Sequence, residues 1–383
     1  MMKENWANSF THDTNGLSSV VYVPGCLRKP EEMLAKIERM FTYFSGTAIP
    51  SVRAWVNGGQ RYTITDNLIA LAKQSHRLGS RLQLGAESRE YCVTLNGISA
   101  WSEEFFYHAQ RHILQPLYEA LGEMPAAGAD FYAFFGNYGY TPFGIHDDTD
   151  HSLLWHLGPG MKTAYVWPRQ RYVDLTGGVL SKPFDEKLLG SADRYVLGPG
   201  DLLFIPKGDF HLLHTPEFSA TLGLTLFPEA PSQSYVDALQ AIAGSRGSLA
   251  LLRDKKFTLD DLASVKDMLI ASNGGVIRSP YLINDISEDR AFFEDPLLKV
   301  AAIGGCPVLY ARLLEQDVLI VRGRLLWSKQ NTVFSKLADI LNHHGPISIE
   351  SIADKTADLF DFDSMKELLF TIYQLRGISI CHE

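Results

Sequence analysis

Between Phe131 and Phe227 the chain is cut into short apolar runs by glycine and proline turns, and no other stretch limits the fold so tightly. Proline cannot donate to a strand ladder and glycine weakens a strand interior, so both belong at the turns. The pattern predicts short antiparallel strands closing into a double-stranded β-helix. P-E-A-P-S (Pro228–Ser232) ends that domain. Ahead of it, Tyr91–Gly97 reads as a strand stopping at Asn-Gly. Ser102–Leu121 carries Phe105, Phe106, Ile113, Leu114, Leu117 and Leu121 at helical spacing, as an amphipathic helix would. Two more helices are expected, at Pro30–Tyr43, which opens on P-E-E where carboxylates favour the helix dipole, and near Asn67–Arg77. These would cover the barrel.

Beyond Pro228 the apolar periodicity turns helical, at Tyr235–Ala243 and Leu259–Ile270, with Thr258 placed to cap the second. Their stripes (Val236, Leu239, Ile242; Leu259, Leu262, Val265, Leu269) are larger than a linker needs, and they predict a homodimer interface or packing on the chain's own barrel. From Pro296, V-L-Y-A-R-L-L-E and D-V-L-I-V-R-G-R-L-L-W-S suit a hairpin, and helices follow at Thr332–Asn342, Ile349–Ala357 and Ser364–Leu375. Ser348 can cap the second of these, Ser364 with Glu367 spells a capping box on the third, and Gly377 stops it before a last strand. That order is the layout of a winged helix. The chain is therefore expected to be α+β: a barrel with its helical cover over residues 1–230, a helical connector over 231–295 and a winged-helix domain over 296–383.

A winged helix often binds DNA, but the recognition-helix region carries Asp363 and Glu367 against only Lys366 and Arg376. The whole chain has a formal net charge of -9. Phosphate binding needs clustered cations, so a nucleic-acid partner is not expected. Cys26, Cys92, Cys306 and Cys381 are far apart without a C-x-x-C pair, which argues for reduced thiols and a cytoplasmic setting. No signal pattern or membrane-spanning apolar run stands out.

The chemistry is concentrated in a few residues. His146 and Asp148 form H-x-D, and on a strand residues two apart share a face, so both can meet one ion while Asp147 turns away. His211 follows P-G-D-L-L-F-I-P (Pro199–Pro206). Two imidazoles and a carboxylate on one face of an octahedron leave positions open for a chelating co-substrate and O2, as in non-haem Fe(II) oxygenases, whereas a structural zinc site would close its shell. His151, His156 and His214 crowd the same region. His156 shares strand parity with His146 and would line the pocket on an unbulged strand. For all three a satisfied or exposed histidine is the simpler reading.

Taken together, the H-x-D, the strand after G-P-G that begins at Met161-Lys162, the P-G-D-L-L-F-I-P segment and the second histidine resemble the JmjC-type cupin oxygenases, over about residues 90–230. The resemblance implies that His146, Asp148 and His211 hold Fe(II), and that Lys162 takes the distal carboxylate of 2-oxoglutarate, with Thr141 and Ser152 as further polar contacts. A carboxylate drawn into a barrel interior needs an opposite charge and donors. The order of barrel, helical connector and winged helix also resembles the ribosomal-protein oxygenases of that class, including the bacterial arginyl hydroxylases. The last part is similar to the PqqD-type peptide-binding winged helix. Both point to a protein or peptide substrate, hydroxylated while 2-oxoglutarate is decarboxylated to succinate. The alternatives are a metal-binding cupin that serves as an interaction module without catalysis, and a JmjC demethylase or RNA hydroxylase.

Overall fold

The computed structural model describes residues 2–40, 52–62, 90–124, 126–243, 258–280, 287–313, 316–328 and 334–381. The helix expected near Asn67–Arg77 lies outside the described residues, as does the end of the one expected at Pro30–Tyr43, described over Pro30–Met40. The chain divides into two compact units, residues 1–123 with 129–228 and residues 124–128 with 229–383.

Among the described residues of the first unit, thirteen strands run β1 (Val21–Val23), β2 (Val52–Val56), β3 (Gly59–Gln60), β4 (Tyr91–Asn96), β5 (Ala129–Gly136), β6 (Gly139–Tyr140), β7 (His146–Asp147), β8 (His151–Pro159), β9 (Lys162–Trp167), β10 (Asp193–Leu197), β11 (Leu202–Ile205), β12 (Phe210–Thr215) and β13 (Ser219–Leu226). They form two sheets. The larger has the order β1-β11-β8-β13-β5-β4-β2-β3, the smaller β10-β9-β12-β6 with β7 also on β12. The described pairings are antiparallel.

Period-two alternation sorts the large sheet's side chains. Phe134, Leu154, Leu203 and Ile205 face inward and share one apolar core with Ala164, Val166, Leu197 and Leu213 of the small sheet. The outward residues meet helices instead: Phe131 is edge-on to Phe105, Trp155 to Trp6 and Phe204 to Phe10. Buried on both faces, β5, β8 and β13 read as nearly continuous apolar runs. Burying each such aromatic contributes roughly 1.5–3 kcal/mol.

The helix expected over Ser102–Leu121 is interrupted. Ser102 caps it, its Oγ accepting from Phe105 N at 3.2 Å. Regular turns at Glu103–Ala109 and Gln115–Leu121 are then separated by a π turn at Gln110–Leu114. Pro116 lacks an N–H and its ring collides with the carbonyl four residues back, and the widened turn ahead of it relieves that collision.

In the second unit β15 (Leu309–Leu313), β16 (Gln316–Val321) and β17 (Arg324–Trp327) form one sheet. A second sheet joins β14 (Lys299–Ala302) to β18 (Ile347–Ser348) and β19 (Ile378–Cys381). The expected hairpin is β15 with β16, but D-V-L-I-V-R-G-R-L-L-W-S turns again at Arg322-Gly323. Both residues there adopt positive φ, as a two-residue hairpin loop requires. The run V-L-I-V of β16 is buried on both faces. Val318 and Ile320 pack with Ile242, Val265 and Leu269 of helices Ser232–Ala243 and Leu259–Ser272. Leu319 and Val321 pack with Leu337, Leu341 and Leu369 of helices Ser335–His343 and Phe362–Gln374.

This core absorbs part of the stripe from which a dimer was expected: Ile242, Leu262, Val265 and Leu269 pack within the unit. Val236, Leu239 and Leu259 stay 43%, 46% and 83% exposed. Thr258 caps its helix through a reciprocal box with Asp261, and Ser348 caps Ile349–Lys355. The box expected at Ser364 and Glu367 does not form. Asp361 starts that helix three residues earlier, accepting from Ser364 N at 2.9 Å, and Glu367 pairs with Arg290. An aspartate preceding the serine offers the same cap with a charged acceptor. Among the described residues no helix is long and apolar enough to cross a membrane.

Candidate active site

β7 pairs with β12 in a register that sets His146 directly opposite His211, with ring centroids 4.4 Å apart. Asp148 follows β7, and one ligand atom from each of the three lies within 4.8 Å of the others. His211 Nε2 is 3.7 Å from Asp148 Oδ2. Asp147 turns the other way and pairs with Arg169 at 2.9 Å. The parity argument thus separates the two aspartates as expected.

The rings are oriented by the backbone. His146 Nδ1 lies 3.0 Å from Gly144 O, and His211 Nδ1 lies 3.3 Å from Asp209 O. A carbonyl only accepts, so these contacts favour the tautomer protonated on Nδ1, which leaves Nε2 as the ligating nitrogen. Burial, reinforced by neighbouring His146, pushes the His211 imidazole down to about 4, so it is uncharged at neutral pH. Gly144 adopts a positive φ where a side chain would strike the Lys182 carbonyl, and Ile145 exchanges both backbone hydrogen bonds with Lys182. His146 is therefore pinned between that segment and β12.

The triad opens on a cavity of about 400 Å3 whose wall includes Thr141 and Ser152. Thr141 is tied to β12, its N–H donating to Leu213 O at 2.9 Å. Ser152 Oγ donates to Asp148 Oδ2 at 3.4 Å and accepts from Tyr132 OH at 3.5 Å. Lys162 is not on this wall. It sits on the inner face of β9, 2% exposed, and donates to Tyr138 OH at 2.9 Å. Its Nζ is 4.5 Å from the ring centre of Phe134, and Phe134 itself lines the cavity. Among the described residues no carboxylate is bonded to it, and burial pushes its ammonium down to about 7.

His156 follows the simpler reading, a buried histidine with a hydrogen-bond partner, and the bulge that would keep it from the cavity is present. It is fully buried away from the cavity wall, with Nε2 2.6 Å from Gly160 O and no partner for Nδ1 among the described residues, next to the bulge where β13 shifts register between Ala220 and Thr221. His151 accepts from Lys207 N and His214 lies against Tyr140, both outside the triad.

Sequence reasoning missed Arg53, Thr94, Tyr132 and Asp150 on the cavity wall, and Gly223 behind it. Thr94 and Phe134 are cross-strand partners, as are Arg53 and Thr94, so the wall is assembled by registers between distant segments. Gly223 did leave a signal: a glycine inside the strand S-A-T-L-G-L-T-L marks a close approach. Its partner across β5 is Tyr132, whose ring fills the space a Cβ would need. Gly223→Ala should push Tyr132 off Ser152 and loosen Asp148, lowering metal affinity by about tenfold, the low end for a group behind a ligand. An anaerobic Co(II) titration checks this, and affinity equal to the parent's would refute it.

No protein-family model matches the chain, and no curated protein sequence does. Solved structures do match. The crystal structure of the Escherichia coli ribosomal oxygenase YcfD aligns over 100% of this chain and 99% of its own, with a TM-score of 0.51 and 14% identity. Its complex with cobalt and 2-oxoglutarate aligns over the same shares with a TM-score of 0.50 and 15% identity. The complex with cobalt and succinic acid does so at 0.52 and 13%. At such identities the likeness is one of fold.

Proposed function

We propose that this chain is an Fe(II)- and 2-oxoglutarate-dependent oxygenase of the JmjC type that hydroxylates a side chain of a protein or peptide. The observation that carries this reading is the His146, Asp148 and His211 cluster, with both imidazoles biased to the ligating tautomer at the mouth of an open cavity. The full-length likeness in fold to a ribosomal oxygenase studied with cobalt, 2-oxoglutarate and succinate supports it. In this reading the two sheets of the first unit are the double-stranded β-helix, residues 231–295 the helical connector and 296–383 the winged helix.

The donor set fits a facially bound divalent metal: three ligand atoms converge from one side, and the cavity leaves the other side open. When bound, iron with 2-oxoglutarate and O2 supplies the oxidising power and succinate is the by-product. The chain's own residues bind and orient. Tyr132 and Ser152 steady the Asp148 carboxylate, and Thr141 offers a hydroxyl from the wall. Lys162, with no acid bonded to it among the described residues, would take the co-substrate's distal carboxylate from beneath the Phe134 ring. The walls exclude water from the reacting side chain. The four free cysteines support a reducing, cytoplasmic setting.

Incubation with Fe(II), 2-oxoglutarate, O2 and total ribosomal protein is expected to release succinate and add one oxygen to a peptide. Loss of a methyl group instead would mean demethylation. Succinate release no greater than that of Asp148→Ala would leave only a binding module.

We also propose a homodimer through the exposed part of the connector helices, Val236, Leu239 and Leu259. Light scattering is expected to give near twice the 42.8 kDa chain mass. V236D/L239D should return it to the monomer, and a parent already at the chain mass would end the idea.

A further inference from the structure

The second unit holds a cavity of its own, of about 710 Å3, between helix Ser232–Ala243, helix Leu259–Ser272 and the β16–β17 hairpin. That volume is in the range of small-molecule sites. Its chemistry is one-sided. Lys266, Arg278 and Arg324 bring three cationic side chains to the wall, Lys266 paired with Asp267 at 2.6 Å and Arg324 donating to Pro280 O at 2.9 Å, and Asp237 brings one acid. Two polar groups are buried there without a partner among the described residues: Ser234 Oγ, on a residue 5% exposed, and Trp327 Nε1. An indole N–H can only donate, and a buried donor left unsatisfied costs about 1–3 kcal/mol. Ile270, Val276 and Leu325 make the remaining wall apolar.

The rim is also preformed. Gly323 N donates to Ser272 Oγ at 2.9 Å, and Arg322 Nε donates to Asn273 Oδ1 at 3.1 Å, so the hairpin turn is clamped to helix Leu259–Ser272 and the segment after it. From this convergence of donors and cations around an apolar floor, we infer that the cavity binds a small amphipathic anion, a carboxylate or phosphate carried on an apolar body. The anionic head meets Arg278, Arg324 and the Trp327 N–H, and the body covers the aliphatic wall. None of these groups takes part in the metal chemistry of the first unit.

Photolabelling the full-length protein with a ten-carbon fatty acid bearing a diazirine, followed by peptide mapping, tests the inference. Label is expected in the segments 265–279 and 323–327 that line the cavity. Decanoate or decyl phosphate should displace it and decanol should not, and the better competitor of the two identifies the anion. R278M/R324M should lower labelling at least about tenfold, equivalent to about 1.4 kcal/mol. W327F, which keeps the aromatic packing, should lower it less while circular dichroism stays unchanged. Label elsewhere only, decanol competing as well as decanoate, or undiminished labelling in R278M/R324M would overturn the inference. If that double variant fails to fold, W327F and the competitors decide alone.

Discussion

Asp148→Ala is expected to lower succinate release about a thousandfold, equivalent to about 4 kcal/mol of lost transition-state stabilisation, while Asp147→Ala, one residue away, keeps most of its activity. The two carboxylates differ in which way the strand turns them. Asp148 lies with His146 and His211, and Asp147 reaches Arg169 on the other face. Removing Asp148 takes the only carboxylate from the triad and leaves two imidazoles. Removing Asp147 breaks a half-exposed ion pair, worth at most about 1 kcal/mol. Succinate assays on both variants, with thermal melts to show that each is folded, check the pair. Equal loss in the two variants would mean that neither is a ligand in its own right.

Lys162→Met should weaken 2-oxoglutarate about a hundredfold and yet make the ligand-free protein more stable at neutral pH. The ammonium is pushed from an ordinary 10.5 down to about 7 by burial. The unfolded chain therefore holds its proton between about pH 7 and 10.5 while the folded chain releases it, and stability rises with pH across that window. Below about 7 the folded protein carries the full penalty of a buried charge, on the order of several kcal/mol. Methionine fills similar volume without that charge. The variant is expected to melt several degrees above the parent at pH 7, the gap closing towards pH 10.5, and to bind 2-oxoglutarate poorly in an anaerobic titration. A variant that melts lower at pH 7 and binds 2-oxoglutarate normally would show Lys162 to be a packing residue.

What was legible in the sequence follows the range of the physics involved. His146, Asp148 and the outward Asp147 could be sorted because strand parity is a local rule. Thr258 and Ser348 announced their helices for the same reason, whereas Ser364 lost its cap to Asp361, a competitor three residues away that pattern alone does not rank. Lys162 was singled out by type and place in the chain, but its depth beneath Phe134 depends on how two sheets close. Arg53 reaches the cavity only because β2, β4 and β5 pair in one register, a fact no window of residues contains. The stripe of Ile242, Val265 and Leu269 was expected to meet the barrel or a second subunit, and it meets neither in the described packing. Its partner, β16, is apolar on both faces and looks like any other buried strand.

Among the described residues the two-residue strand β7 reaches its small sheet through Phe210 and His211 of β12 alone. An ion seated there ties two segments distant in the chain, and by mass action a metal at a hundred times its dissociation constant adds about 2.7 kcal/mol to folding. Amide exchange at His146 and His211 is therefore expected to be slower in the Co(II)-loaded protein than in the metal-free one, and equal rates in the two forms would show that the ion adds nothing to this pairing.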